Sequence, residues 1–242
     1  MKPFARFRSR LKAKRDDMGE RAVVYVALGD SVTQGIMEAG AFEYESVYHN
    51  LVKKRIEHRY PGTVINVINS GVGGDTAHES RKRWERDVLL YQPDLVTIKF
   101  GLNDMHQGME GLGRYIDSIQ DLVDCIRKET NAEVLLMTPS MAMKHDNRYI
   151  PDGYKVYVAD FLKAAHEGVL EAYARSLRVF AETNQIPFLD VYAMWEQMER
   201  EGIDIHERLT NGLNHPDRKF HAELADAIET LLFQDEAGDQ TE

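Results

Sequence analysis

Short apolar runs rich in Val, Ile and Leu alternate along the chain with longer stretches whose apolar positions recur every three or four residues. The short runs read as strands at 22–28, 63–69, 95–100, 133–138 and 187–191. The longer ones read as helices at 43–59, 77–90, 111–128, 154–184 and 217–233. Strand and helix in alternation call for parallel strands joined by helical crossovers. The predicted fold is therefore α/β: a three-layer α/β/α sandwich around a five-stranded parallel sheet, flavodoxin-like. No repeat with a period of about 20 to 50 residues is present, which excludes a solenoid or propeller.

Open parallel sheets place their chemistry at the carboxyl ends of the strands, and turn-forming residues gather there in this chain. Gly29-Asp30-Ser31 follows the first strand, Gly71-Val-Gly-Gly-Asp75 the second, and Gly101-Leu-Asn-Asp104 the third, while His215-Pro216 precedes the last helix. Ser31 is a candidate nucleophile, and its backbone N–H, opening a helix, is a natural donor to an oxyanion. Asn103 can aim its amide at the same pocket. His215 would take the Ser31 proton and hand it to a leaving alcohol. Each segment also has a structural reading, with Asp30 and Ser31 as helix caps and the glycines as relaxed turns.

Other chemistries find less support. No Gly-x-Ser-x-Gly elbow occurs. Thr76 stands where a dinucleotide fingerprint needs Gly or Ala, and a phosphate-loop Lys is absent. Neither His-Glu-x-x-His nor His-x-His is present, so no metal and no cofactor is expected.

With Gly-Asp-Ser at 29–31, Gly-Gly-Asp at 73–75, Gly-x-Asn-Asp at 101–104 and His-Pro at 215–216 in that order, the chain resembles the SGNH (GDSL-like) hydrolase family of esterases and lipases. The resemblance implies hydrolysis of a small-molecule carboxylic ester through an acyl-Ser31 intermediate. His215 would be the base, and the Gly74 N–H and the Asn103 side chain would be oxyanion donors. Removal of acetyl groups from sugars is the family-level expectation. Lysophospholipid or thioester cleavage, and a non-catalytic sugar- or nucleotide-binding module, are the alternatives. One position departs from the family pattern: Gly212 stands where an Asp is usual, three residues before the His. With one inserted residue Asn211 would match that acid. Either a backbone carbonyl or Asn211 orients His215, or another acid such as Asp204 or Asp217 reaches it, or activity is low. Asp104 is expected to brace its loop. Among the other histidines His221 is the nearest competitor as base, and most of the rest are expected on solvated faces.

The 242 residues suit one domain at 21–234, preceded by a basic arm at 1–20 and followed by an acidic tail at 235–242. The net charge of −10 is uneven, since residues 2–15 hold seven Lys or Arg and no acid. The acidic body would repel nucleic acid and anionic membranes. Phe4, Phe7 and Leu11, at helical spacing, either rest on an anionic surface or pack on the domain. No apolar stretch reaches the length of a secretory signal or a membrane span. Cys125 is the sole cysteine and lies on the apolar side of a helix, which suits a reducing cytoplasm. Segment 141–153, with Met141, Met143, Tyr149 and Pro151, reads as a wall of the substrate site, an inert surface loop or an oligomer contact. A homo-oligomer stays open.

Overall fold

The computed structural model describes residues 2–38 and 40–234, so the acidic tail at 235–242 lies outside the described residues. The strands are β1 (Val23–Gly29), β2 (Ile65–Gly71), β3 (Leu95–Lys99), β4 (Glu133–Met137) and β5 (Phe188–Leu189). They pair in the order β2-β1-β3-β4-β5, every pair parallel. That is the flavodoxin-like order, whose switch point falls beside β1. In register, Gly29 stands opposite Gly71 on one side and Lys99 on the other. The loops that leave β1, β2 and β3 therefore emerge side by side.

The helices are α1 (Ala5–Asp16), α2 (Ser31–Gln34), α3 (Tyr48–Arg59), α4 (Trp84–Asp87), α5 (Leu112–Glu129), α6 (Val158–His166), α7 (Val169–Thr183), α8 (Val191–Arg200) and α9 (Arg218–Phe233). Right-handed crossovers put the α3–α9 pair on one face of the sheet and the α5–α7 pair on the other. The buried stripe of α5, Tyr115, Ile119, Leu122, Val123 and Ile126, has the three-and-four spacing of an amphipathic helix. Each such side chain contributes about 1.5–3 kcal/mol by leaving water.

The amino-terminal segment packs on the domain. Phe4, Phe7 and Leu11 are buried, the Phe7 N–H donates to Glu133, and Thr63 donates to the Leu11 carbonyl. Helix α1 thus lies at the amino-terminal end of the strands, remote from the Ser31 loop, with its apolar face taken up by the core. Cys125 is half-buried on α5.

Three elements differ from the sequence reading. The helix expected at 77–90 is broken into a 3-10 turn at Glu79–Arg83, the single turn α4, and another 3-10 turn at Leu89–Tyr91. Its backbone bends to bring Arg83 and Trp84 inward, where Trp84 donates to Ser80. The helix expected at 154–184 divides into α6 and α7 at Gly168, whose φ of 64° reverses the backbone. Helix α8 lies where only the end of a strand was expected, and β5 has two residues. Asp190 caps α8 by accepting from the Ala193 N–H.

Candidate active site

Asp30 begins the site. Its Oδ1 accepts from the Val32 N–H at 3.0 Å, capping α2 and holding Ser31 in the first turn after β1. His215 reaches the same point from the loop before α9, its Nε2 3.1 Å from Ser31 Oγ. Ser31 is 6% exposed and His215 8%, so the pair is largely withdrawn from solvent.

The other ring nitrogen identifies what orients the imidazole. His215 Nδ1 lies 3.2 Å from the carbonyl oxygen of Met37. A carbonyl can only accept, so the proton sits on Nδ1 and the Nε2 lone pair faces the Ser31 hydroxyl. Burial pulls the imidazole down to about 4, partly opposed by the Met37 bond.

The side chains considered as alternatives are engaged elsewhere. Asn211 Oδ1 accepts the backbone N–H groups of Leu213, Asn214 and His215, which shapes the loop without touching the ring. Asp204 pairs with His206, and Asp217 caps α9 and binds Arg208. Gly212 has φ 68°, and a Cβ there would stand 2.7 Å from both the backbone N and the Cγ1 of Ile150. An acid at that position is sterically excluded.

The Ser31 and Gly74 N–H groups donate to no protein acceptor among the described residues. Gly74, at φ 78°, has no atom within 4 Å of where a Cβ would stand, so the Cβ side of this residue is open. Asn103 Nδ2 donates one hydrogen to the Asp75 carbonyl at 2.9 Å and keeps the second. Asp104 braces the loop by accepting from the Ala77 and Gly101 N–H groups, and burial pushes its carboxyl up to about 7.

Two buried charges were not singled out from the sequence. Arg83 binds Asp75 at 2.7 Å and also donates to the carbonyls of Ser70 and Gly29, tying the ends of β1 and β2 to the 72–76 loop. Lys99 is fully buried, and its Nζ makes no hydrogen bond among the described residues. Burial lowers its ammonium and raises the Asp30 carboxyl, and the attraction between the two opposes both shifts. A lone Lys in the run Leu-Val-Thr-Ile-Lys-Phe was the available signal.

His221 does not reach Ser31. Its Nδ1 accepts from the Tyr48 N–H, and burial holds the ring down at about 3. His49 and His206 are buried as well, while His58, His78, His106, His145 and His166 are exposed, as expected for most of the histidines. Segment 141–150 backs the His215 loop: Met143 N donates to the Leu213 carbonyl and Asn147 Nδ2 to that of Gly212. A cavity of about 510 Å³ lined by Met105, Met141, Met143, Phe161 and Tyr192 opens beside that segment, and neither Ser31 nor His215 lines it. Among the described residues no group of three His, Cys, Asp or Glu side chains is placed to hold a metal ion.

Residues 27–223 match the GDSL-like Lipase/Acylhydrolase family. The chain belongs to that family. Among curated proteins, an acetylxylan esterase of Geobacillus stearothermophilus is 26% identical over 147 residues, 57% of this chain and 60% of that protein. An arylesterase of Vibrio mimicus is 27% identical over 133 residues, 54% of this chain and 62% of that one. The chain thus spans about three-fifths of the length of these relatives. Among solved structures, Axe2, an acetylxylan esterase from Geobacillus stearothermophilus, superposes with a TM-score of 0.64 at 22% identity, over 87% of this chain and 95% of that one. A two-domain esterase active on acetylated mannans gives 0.67 at 21%, over the whole of this chain and 55% of the other. At these identities the structural likeness concerns the fold.

Proposed function

We propose that this protein is a serine esterase that hydrolyses small carboxylic esters, acetyl esters of carbohydrates above all, through an acyl-Ser31 intermediate. The observation that carries the proposal is the line Ser31 Oγ, His215 Nε2, His215 Nδ1, Met37 carbonyl, with contacts of 3.1 and 3.2 Å.

In the first step Ser31 Oγ attacks the ester carbonyl while His215 Nε2 takes its proton. The Ser31 N–H, the Gly74 N–H and the Asn103 amide stabilise the oxyanion, each donor being worth about 10²–10³ in turnover. The tetrahedral intermediate collapses, and His215 returns the proton to the departing alcohol. Water then attacks the acyl-enzyme as His215 takes one of its protons, and the acid leaves with Ser31 regenerated. The Met37 carbonyl holds the reactive tautomer throughout. It lacks the full negative charge of a carboxylate, so it stabilises the imidazolium less.

The name of one curated relative, an acetylxylan esterase, supports the acetyl-ester reading. Acetate release from acetylated xylooligosaccharides tests it, with Ser31→Ala as the control. Turnover by the wild type that the substitution abolishes is the expected result; turnover retained by Ser31→Ala would overturn it.

The proposed partner is a small-molecule ester and not nucleic acid, in keeping with the net charge of −10. Among the described residues no helix is long and apolar enough to cross a membrane. A cytoplasmic location is proposed from the single cysteine, and cell fractionation tests it.

A further inference from the structure

Two large aromatic rings stand in water beside this site. Phe42 is 46% exposed and Tyr44 58%, and the rings lie roughly parallel, centroids 5.9 Å apart at 26°. Apolar surface of this kind, held rigid next to a reactive group, is characteristic of a binding surface.

The segment that carries them is fastened on three sides. Ile36 and Phe42 pair as an antiparallel bridge, Met37 N donates to the Ala41 carbonyl, and Glu43 N donates to that of Gly35. Arg218 grips Glu38 at 2.8 Å and also binds Glu43. The Met37 carbonyl holds His215. On the other flank, the point where a Cβ on Gly73 would stand is 3.3 Å from Ile36 Cδ1 and 3.9 Å from Ser31 Cβ. A ligand resting on the rings is thereby held in register with Ser31, His215 and the Gly74 loop.

We propose that Phe42 and Tyr44 form a stacking subsite for a pyranose ring of the acylated carbohydrate, which rests on the reading of Ser31 as an ester nucleophile. The C–H face of a sugar ring matches a flat aromatic face in size and polarity, while its hydroxyls point sideways to hydrogen-bond acceptors. Glu43 and Glu45, next to the rings in sequence, hold Arg218 and Lys54 respectively, so each carboxylate keeps only its spare lone pairs for such a hydroxyl.

The test compares wild type with Phe42→Ala/Tyr44→Ala on an acetylated xylooligosaccharide and on p-nitrophenyl acetate, which has no sugar. Thermal unfolding verifies that the variant folds, as both rings lie outside the core. The ratio of kcat/KM for the oligosaccharide to that for p-nitrophenyl acetate is expected to fall about tenfold or more. Xylopentaose titrated against Ser31→Ala protein is expected to bind, and to lose binding when the two alanines are added. An unchanged ratio overturns the subsite. So does a double variant that differs only in eluting at a smaller mass, which would make the rings a contact between copies. Hydrolysis of p-nitrophenyl acetate with neither oligosaccharide turnover nor xylopentaose binding sinks the subsite alone. Failure of the wild type on p-nitrophenyl acetate counts against Ser31 as nucleophile, with xylopentaose binding still deciding the subsite.

Discussion

Replacing Asn211 with Ala removes a side chain that touches neither Ser31 nor the His215 ring, yet both stability and turnover should fall. Asn211 is 1% exposed, and its Oδ1 accepts three backbone N–H groups, from Leu213 and Asn214 at 3.0 Å and from His215 at 3.1 Å. Alanine leaves these donors buried without an acceptor, at about 1–3 kcal/mol each before the loop relaxes. Relaxation and entering water recover part of that, so a net loss of about 2–4 kcal/mol is expected, or roughly 5–15 °C in Tm for a chain of this size. Because the His215 N–H is one of the three, the ring shifts, and a displacement of about 1 Å can cost about 10²-fold in rate. Asn211→Asp separates this account from one in which residue 211 orients the imidazole. It keeps the acceptor oxygen, loses the donor to Asn214 and buries a negative charge, so stability should drop by about 1–3 kcal/mol with no gain in kcat. The assays are urea unfolding at neutral pH and steady-state hydrolysis of p-nitrophenyl acetate. Asn211→Ala within about 0.5 kcal/mol of wild type and fully active would refute the reasoning. So would a clear rise in kcat for Asn211→Asp.

Four further outcomes follow from the same geometry. Gly212→Asp, which installs the acid usual for the family, should lose about 2–4 kcal/mol and gain no activity, because a left-handed backbone and a Cβ 2.7 Å from Ile150 must both be accommodated; a stable, faster variant would contradict this. Arg83→Met strands Asp75 as a buried charge and should cost about 3–5 kcal/mol, read by urea unfolding; a loss below about 1 kcal/mol would show that the pair does not hold the 72–76 loop. The rate on p-nitrophenyl acetate should be flat from about pH 5 to 8, since burial holds the His215 ring down at about 4 and it stays a base throughout. Stability behaves differently: His49, His215 and His221, at about 4, 4 and 3 when folded, each lose about 2 kcal/mol as pH falls from 7 to 5, because the unfolded chain takes up their protons first. Asp104, raised to about 7, returns about 2 kcal/mol over that range and Asp30 acts in the same direction, so the urea midpoint should still drop on acidification; a midpoint that rises between pH 7 and 5 would contradict the burial of neutral histidines.

The turn residues at the strand ends were legible because their signal is local. Gly29-Asp-Ser, Gly-Gly-Asp and Gly-x-Asn-Asp each break an apolar run where a strand must end, and the sheet register then sets the first three loops side by side. The orienting group could be narrowed and not named, because every residue has a carbonyl and nothing in the chemistry of Met37 marks it. Gly212 read as a departure from the family and proved to be a steric requirement of the Ile150 contact, a long-range fact. Arg83 looks like an ordinary surface charge until the fold buries it, whereas Lys99 carried a local signal by interrupting an apolar run. The breaks at 77–90 have the same origin, as tertiary anchoring of Arg83 and Trp84 overrides helical spacing. Gly168 and the Asp190 cap carried local signals for the division of 154–184 and for α8. Reading 187–191 as a long strand hid the second of these.

The most direct test of the central claim is the intact mass of the folded protein after exposure to an organophosphorus serine probe, measured beside Ser31→Ala and His215→Ala with p-nitrophenyl acetate turnover on the same samples. The account predicts one adduct per wild-type chain, none on Ser31→Ala, slow labelling of His215→Ala, and turnover lost in both variants. An adduct that persists in Ser31→Ala, or a folded wild type that neither labels nor turns over the ester, would contradict it.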